Sequence, residues 1–257
     1  MSTRNKASVW IYTDADNTLW DTNSVFAGAQ LGMLSRAESI AQREAPTEDR
    51  LEYLRKYDQA IAKRHHSKLR YPPALLIRAL VLGLGGLSPD ASAARVIASG
   101  AVPSELEATA ISKYQIELTQ TPPLLPGVTV GLEVATTHHA PVYVVTEGSV
   151  ESARERAKAL SIDRYISGVL SAVKSRELYL RLKERAAPRQ VVMIGDQPDR
   201  DIRLAHTAGL TTVLLRSRFR PEWHSNEDAA LADAVVDTFD AAVTWVLDGA
   251  DMTTRVG

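Results

Sequence analysis

The sequence predicts an α/β protein, a parallel-sheet core into which an all-helical domain is inserted. Three observations carry that prediction. Short apolar, β-branched runs alternate with longer stretches of helical patterning. One stretch of roughly a hundred residues, between the first run and the second, holds helical patterning and no convincing strand. The 257 residues are 45% hydrophobic, enough to fill a sizeable buried core.

The first run is SVWIYTDA at 8–15, followed much later by PVYVVTE at 141–147, YISGVLSA at 165–172, QVVMIGD at 190–196, TTVLLR at 211–216 and a weaker ADAVVD at 232–237. Apolar runs this short read as parallel strands covered on both faces, with the segments between them as crossover helices. A crossover needs only a dozen or so residues, so Asn23 to Gln120 reads as a separate inserted domain. That assigns 1–22 and 121–257 to a Rossmann-like core and 23–120 to a helical cap. TNS leads out of the core and the proline-rich TQTPPLLPG leads back. After the fourth strand, Pro198 suits a first helical turn, and Gly209 suits the left-handed position that ends DRDIRLAHTA.

Charge and composition exclude several classes of function. The net charge is −1 and the sequence pI about 6.6, so no global field draws the chain to nucleic acid or an anionic membrane. No apolar stretch approaches the ~18 to 20 residues of a membrane span, and MSTRNKAS lacks the apolar core of a secretory signal. With no cysteine there are no disulfides, thiolate nucleophiles or cysteine-ligated metals. A cytoplasmic protein, monomeric or homodimeric, acting on a small soluble molecule is expected.

Ligands of parallel sheets gather at the carboxyl ends of the strands. Strand one ends in Asp14 and Asp16, strand two in Thr146; Lys174 follows strand three, and strand four ends in Asp196 with Asp201 five residues later. Carboxylates converging on one crevice repel one another, so a hard divalent cation is the expected companion, and Mg²⁺ fits best. Lysine and threonine at the same ends suit a phosphoryl group. Asp14 reads as a nucleophile forming an aspartyl phosphate, and Asp16 as the acid that protonates the leaving oxygen and then the base that activates water.

The ordered set DADNT, Thr146, Lys174 and GDQPDRD resembles the haloacid dehalogenase (HAD) superfamily of phosphohydrolases and phosphotransferases. YTDADNTLWDTN and TPPLLPGV resemble more narrowly a subgroup whose first motif reads roughly FDADDTLW, with a helical C1-type cap. The resemblance covers about residues 8–22 and 122–216. It implies Asp14 as nucleophile, Asp16 as general acid/base, Thr146 and Lys174 as phosphate-binding catalytic groups, and Mg²⁺ on Asp14, the backbone carbonyl of Asp16, Asp196 and Asp201. A substrate-binding set of Thr146, Lys174, Glu147, Gly148 and Arg70 is expected. Glu147 departs from the family pattern and is expected to point outward. Asn17 stands where relatives carry glycine or aspartate, and Asp199 and Arg200 lie between the two late metal acids.

The implied activity is hydrolysis of a small phosphate monoester. A phosphomutase or phosphotransferase differs only in what accepts the phosphoryl group and is the alternative. A dehalogenase does not need the second acid, Asp16. A phospho-acceptor receiver would carry its acidic pair and acceptor in the opposite order, and a non-catalytic binding module would not need the full set. Inside the insertion, Lys63, Arg64, Lys68, Arg70 and Arg78 with His65 and His66 form a locally basic stretch that reads as a solvated face or an anion-binding one. GLGG at 83–86 reads as a helix end, His138–His139 as a turn, and Trp20 and Trp223 as residues near the entrance to the crevice.

Overall fold

The computed structural model describes residues 9–66, 71–99, 103–217 and 225–253. Six strands form one sheet: β1 (Trp10–Thr13), β2 (Val142–Thr146), β3 (Ile166–Ser171), β4 (Val191–Gly195), β5 (Thr211–Leu215) and β6 (Ala234–Val236). Each lies inside one of the six runs read from the sequence. All pairings are parallel and the order is β3-β2-β1-β4-β5-β6. The α/β, Rossmann-like architecture is therefore present, with the strand order reversing direction between β1 and β4. In such sheets the crevice lies beyond the carboxyl ends at that reversal.

Alternation of side chains along the strands fills two layers. On one face Ile11, Val142, Val144, Val192, Ile194 and Val213 pack with residues of α6 (Val128–Thr137), α7 (Val150–Ala159) and α10 (Phe239–Thr253). On the other, Tyr12, Val145 and Met193 pack with α8 (Arg176–Ala186) and α9 (Arg203–Thr207). Between β4 and α9 the chain makes a single π-type turn, Pro198–Ile202. Gly209 closes α9 at φ +76°, the left-handed conformation expected of it.

The chain divides into two compact units, Met1–Thr22 with Thr121–Gly257, and Asn23–Gln120. The outgoing and returning segments run side by side within the first: the Asp21 amide donates to the Pro123 carbonyl at 2.8 Å, and Trp20 bridges to Leu124. The second unit is helical among its described residues, with α1 beginning at its border (Thr22–Ala41), then α2 (Arg50–Arg64), α3 (Pro73–Leu84), α4 (Pro89–Ser99) and α5 (Glu105–Glu117).

The helices begin where capping chemistry allows. The Asp49 side chain accepts from the Glu52 amide, Pro73 occupies the first turn of α3, and Ser104 and Glu107 cap reciprocally. Leu54, Tyr57 and Ile61 recur at helical spacing and bury against Leu76, Ile77, Leu80 and Leu84. Gly83 faces the Tyr57 ring so closely that any Cβ there would collide with it. GLGG ends α3, with Gly85 as its cap. Arg36 on α1 grips Glu117 on α5 through two bonds of 2.8 and 2.6 Å. Among the described residues, no helix is long and apolar enough to cross a membrane.

One buried acid in this unit makes stability pH-dependent. Burial pushes the Asp58 carboxyl up, although Tyr71 and Gln59 donate to it and Arg55 pulls the other way. An acid whose folded pKa exceeds its unfolded value contributes most below the unfolded value, and that contribution is lost as pH rises through the folded one. Asp58→Asn keeps an acceptor for Tyr71 without the charge. Thermal unfolding of the full chain is expected to show the variant gaining in Tm on the parent between pH 4 and pH 8; a constant difference would contradict this account.

Candidate active site

Strand register sets the site. Thr13 pairs with Ile194, and the Asp14 amide still donates to the Ile194 carbonyl at 2.9 Å. β1 and β4 therefore end level, and Asp14 and Asp196 leave the sheet as neighbours. Asp201 joins them from the π-type turn, where its own amide and that of Ile202 both donate to the Gln197 carbonyl, at 2.8 and 3.4 Å. Gly195 permits this return, because a Cβ there would strike the Asp201 carboxylate. Asp14, Asp196 and Asp201 are all buried, with one oxygen of each within 4.8 Å of the others. Asp199, the other acid of the turn, is not in that group.

The Lys174 side chain enters the cluster from the loop after β3. Its ammonium is buried, donating to Asp14 Oδ1 and to Asp201 Oδ1 at 2.5 Å. Asp201 Oδ2 accepts the Gln197 amide at 3.1 Å. Asp14 Oδ2 and Asp196 Oδ1 are buried with no hydrogen-bond partner. Three carboxylates facing one ammonium leave two negative charges uncompensated, and the protonation equilibria follow from that. Burial pushes Asp14 up to about 7, with Lys174 opposing and Asp201 adding to the rise. Burial also raises Asp196, and the Asp14 and Asp201 charges raise it further. Burial disfavours the Lys174 ammonium, but Asp14 and Asp201 outweigh it and hold the lysine above its usual range. The lysine keeps its proton, while Asp14 and Asp196 hold theirs to higher pH than free carboxyls do.

This arrangement fits a divalent cation on its own chemistry. Such an ion would match the uncompensated charge, and two unpartnered carboxylate oxygens are already buried together. Asp14, Asp196 and Asp201 are the residues that could hold it.

Asp16 is placed differently. Its carboxylate lies outside the three-acid group, and its Oδ1 accepts from Trp20 Nε1 at 2.7 Å, Thr22 Oγ1 at 2.8 Å and Arg156 Nη1 at 3.1 Å. Any metal contact from this position would fall to its backbone. Asn17 takes φ 59°, which accounts for asparagine, aspartate or glycine at this position. Trp20, expected near the entrance, is 1% exposed and belongs to the core.

Thr146 ends β2 buried, its oxygen accepting the Gly148 amide at 3.0 Å, which leaves the hydroxyl proton for a ligand. Glu147, expected to point outward, instead accepts the Lys174 amide at 3.2 Å and an Arg200 Nη1 donor. It ties the loops after β2, β3 and β4 together, each of its half-buried oxygens satisfied by one donor. Arg70, Lys68 and Trp223 lie outside the described residues. Within the basic stretch, Arg64 pairs with Asp90 at 2.6 Å, Arg78 with Glu107 at 3.4 Å, and His65 stacks on His66.

Two functional candidates were not singled out by the sequence. Arg156 is one more cation on a charged helix, and only the facing of α7 brings it to Asp16. Arg200 had no signal beyond its place between two acids.

Residues 171–242 match a family model described as HAD-hydrolase-like. No curated protein matches the chain. Among solved structures, it is similar to the HAD-hydrolase YfnB from Bacillus subtilis bound to magnesium, with 16% identity and TM-score 0.58 over 95% of this chain and 100% of that one. It is also similar to a predicted phosphoglycolate phosphatase from Haemophilus somnus, with 17% identity and TM-score 0.57 over 94% and 99%. A haloacid dehalogenase-like family hydrolase from Xanthomonas campestris aligns at 13% identity and TM-score 0.61 over 98% and 100%. At these identities the likeness is one of fold.

Lys174→Met removes the only cation of the cluster and leaves its carboxylates buried. Breaking a buried pair from one side costs about 3–5 kcal/mol, so urea unfolding in chelator at pH 8 is expected to show a loss of that order. The loss should shrink at pH 5, where the carboxylates can take up protons. An equal loss at both pH values would contradict the electrostatic account.

Proposed function

We propose that this chain hydrolyses phosphate monoesters through an aspartyl phosphate on Asp14, with Mg²⁺ held by Asp14, Asp196 and Asp201. The observation that carries the reading is the buried three-carboxylate cluster with one ammonium and two unpartnered oxygens at the ends of β1 and β4. The family match over 171–242 and the HAD-like fold support it.

When bound, the cation would neutralise the excess charge and polarise the phosphoryl group. Lys174 holds Asp14 Oδ1 and steers the carboxylate by an ion pair, leaving Oδ2 to attack phosphorus. The Thr146 hydroxyl, whose oxygen is fixed by the Gly148 amide, donates to a phosphoryl oxygen. Asp16 gives its proton to the departing alkoxide as the P–O bond breaks. It then takes a proton from the water that attacks the aspartyl phosphate, and inorganic phosphate leaves with Asp14 restored. Halide displacement from a carbon needs no such acid, so the position of Asp16 favours the phosphoester reading. The substrate is a small phosphorylated molecule, and no extended basic surface is required to bind it.

Two measurements test this. Asp14→Asn should lower Mg²⁺-dependent phosphate release from phenyl phosphate by ~10³ or more; retained turnover would sink the reading. Mg²⁺ should also raise the Tm of the parent, because a ligand that binds only the folded state stabilises it. Asp196→Asn should abolish that rise, and a rise of equal size in the variant would remove Asp196 from the cation site.

A further inference from the structure

Three donors converge on one oxygen of Asp16. Trp20 Nε1, Thr22 Oγ1 and Arg156 Nη1 reach Oδ1 at 2.7, 2.8 and 3.1 Å, and none is bonded to Oδ2. Two of the donors come from the segment that follows Asp16 itself and fix only its local rotamer. The third comes from α7, 140 residues along the chain, whose first turn is fixed directly after β2: Ser149 caps it by accepting the Ser152 amide at 3.0 Å.

We propose that Arg156 is a positioning residue for Asp16. It holds Oδ1 so that Oδ2 is the oxygen that exchanges the proton with the leaving group. The inference rests on the phosphatase reading above and extends it to a residue outside the four strand-end motifs.

The geometry gives the arrangement a physical purpose. An acid that must first donate and then accept a proton at one place needs one oxygen immobile and the other uncommitted, and a carboxylate free to spin presents either. Trp20 is buried and Thr22 starts α1, so both donors are fixed by packing or backbone. Arg156 is the donor that also supplies charge. Its side chain is 35% exposed and that of Asp16 42%, so the pair adds little to folding. Its worth lies in orientation, and a surface pair serving stability alone would predict the opposite pattern of effects.

Leaving-group dependence separates the two. kcat/KM reports formation of the aspartyl phosphate, and loss of a general acid hurts phenyl phosphate far more than 2,4-dinitrophenyl phosphate, whose phenolate departs unaided. Arg156→Ala is expected to lower kcat/KM on phenyl phosphate by roughly ten- to a hundredfold and on the dinitrophenyl ester much less. Arg156→Lys, which keeps a cationic donor, should recover part of that loss and serves as the folded reference should the alanine variant unfold. Asp16→Asn with Arg156→Ala should be no slower on phenyl phosphate than Asp16→Asn alone, because residues acting as one unit are not additive.

Equal losses on both esters, a faster Arg156→Ala enzyme, or an additive double variant would overturn the proposal. If Asp16→Asn itself shows no leaving-group bias, the acid/base reading falls first, and that failure is distinct from the failure of Arg156 alone.

Discussion

The Lys174 ammonium lies between Asp14 and Asp201 with Asp196 alongside, so three buried acids share a single fixed cation. A buried carboxylate without a partner costs several kcal/mol, and one ammonium cannot satisfy three. Much of the surrounding loop structure serves to keep that ammonium in place. Glu147 holds the Lys174 backbone amide, Arg200 holds Glu147, and the Tyr179 hydroxyl donates to the Arg200 carbonyl at 3.2 Å. Gly195 clears the space into which Asp201 folds. The excess negative charge that remains is the same feature that would recruit a divalent ion, so the electrostatic strain of the cluster and its fitness to hold a cation have one origin.

Asp14 and Asp16 stand two residues apart and sit in different media. Asp14 is buried with two acids and a lysine; Asp16 sits in a half-exposed position among an indole, a hydroxyl and a guanidinium. Identical side chains placed in such contrasting surroundings can take different parts in one reaction. Just after Asp16 the chain curls at Asn17, whose amide is bonded to the Trp20 carbonyl at 2.7 Å, and this brings Trp20 and Thr22 back to the Asp16 carboxylate.

Much of this was legible in the sequence, and the divide has a physical basis. A strand in a parallel sheet is apolar on both faces, so all six were visible as short runs, and left-handed glycine at 209 was marked by its type. The convergence of Asp14, Lys174, Asp196 and Asp201 was legible because a sheet delivers whatever ends or follows its strands to one edge. The partners of Glu147 were not legible, because the loop curl that brings it to the Lys174 amide and Arg200 is not fixed by sequence spacing. Arg156 was invisible for a related reason: its role depends on which face of α7 meets Asp16. The basic stretch looked unbalanced only along the chain, since Asp90 and Glu107, the partners of Arg64 and Arg78, lie 26 and 29 residues further on.

The central position of β1 imposes an order on biosynthesis. Its two neighbours are β2 and β4, so the strand bearing Asp14 emerges from the ribosome with nothing to pair with until residue 142 has been made, and with one edge open until residue 191. The whole of 23–120 is synthesised in that interval, and its described helices, with Tyr71 from between α2 and α3, bury a core drawn from that segment alone. A unit with such local contacts can close while the first strand is still waiting. Beyond whatever it does in the finished molecule, the insertion thus sets a delay during which an apolar strand, WIYT, has an unsatisfied backbone, and a nascent chain stalled there would present an edge open to other chains.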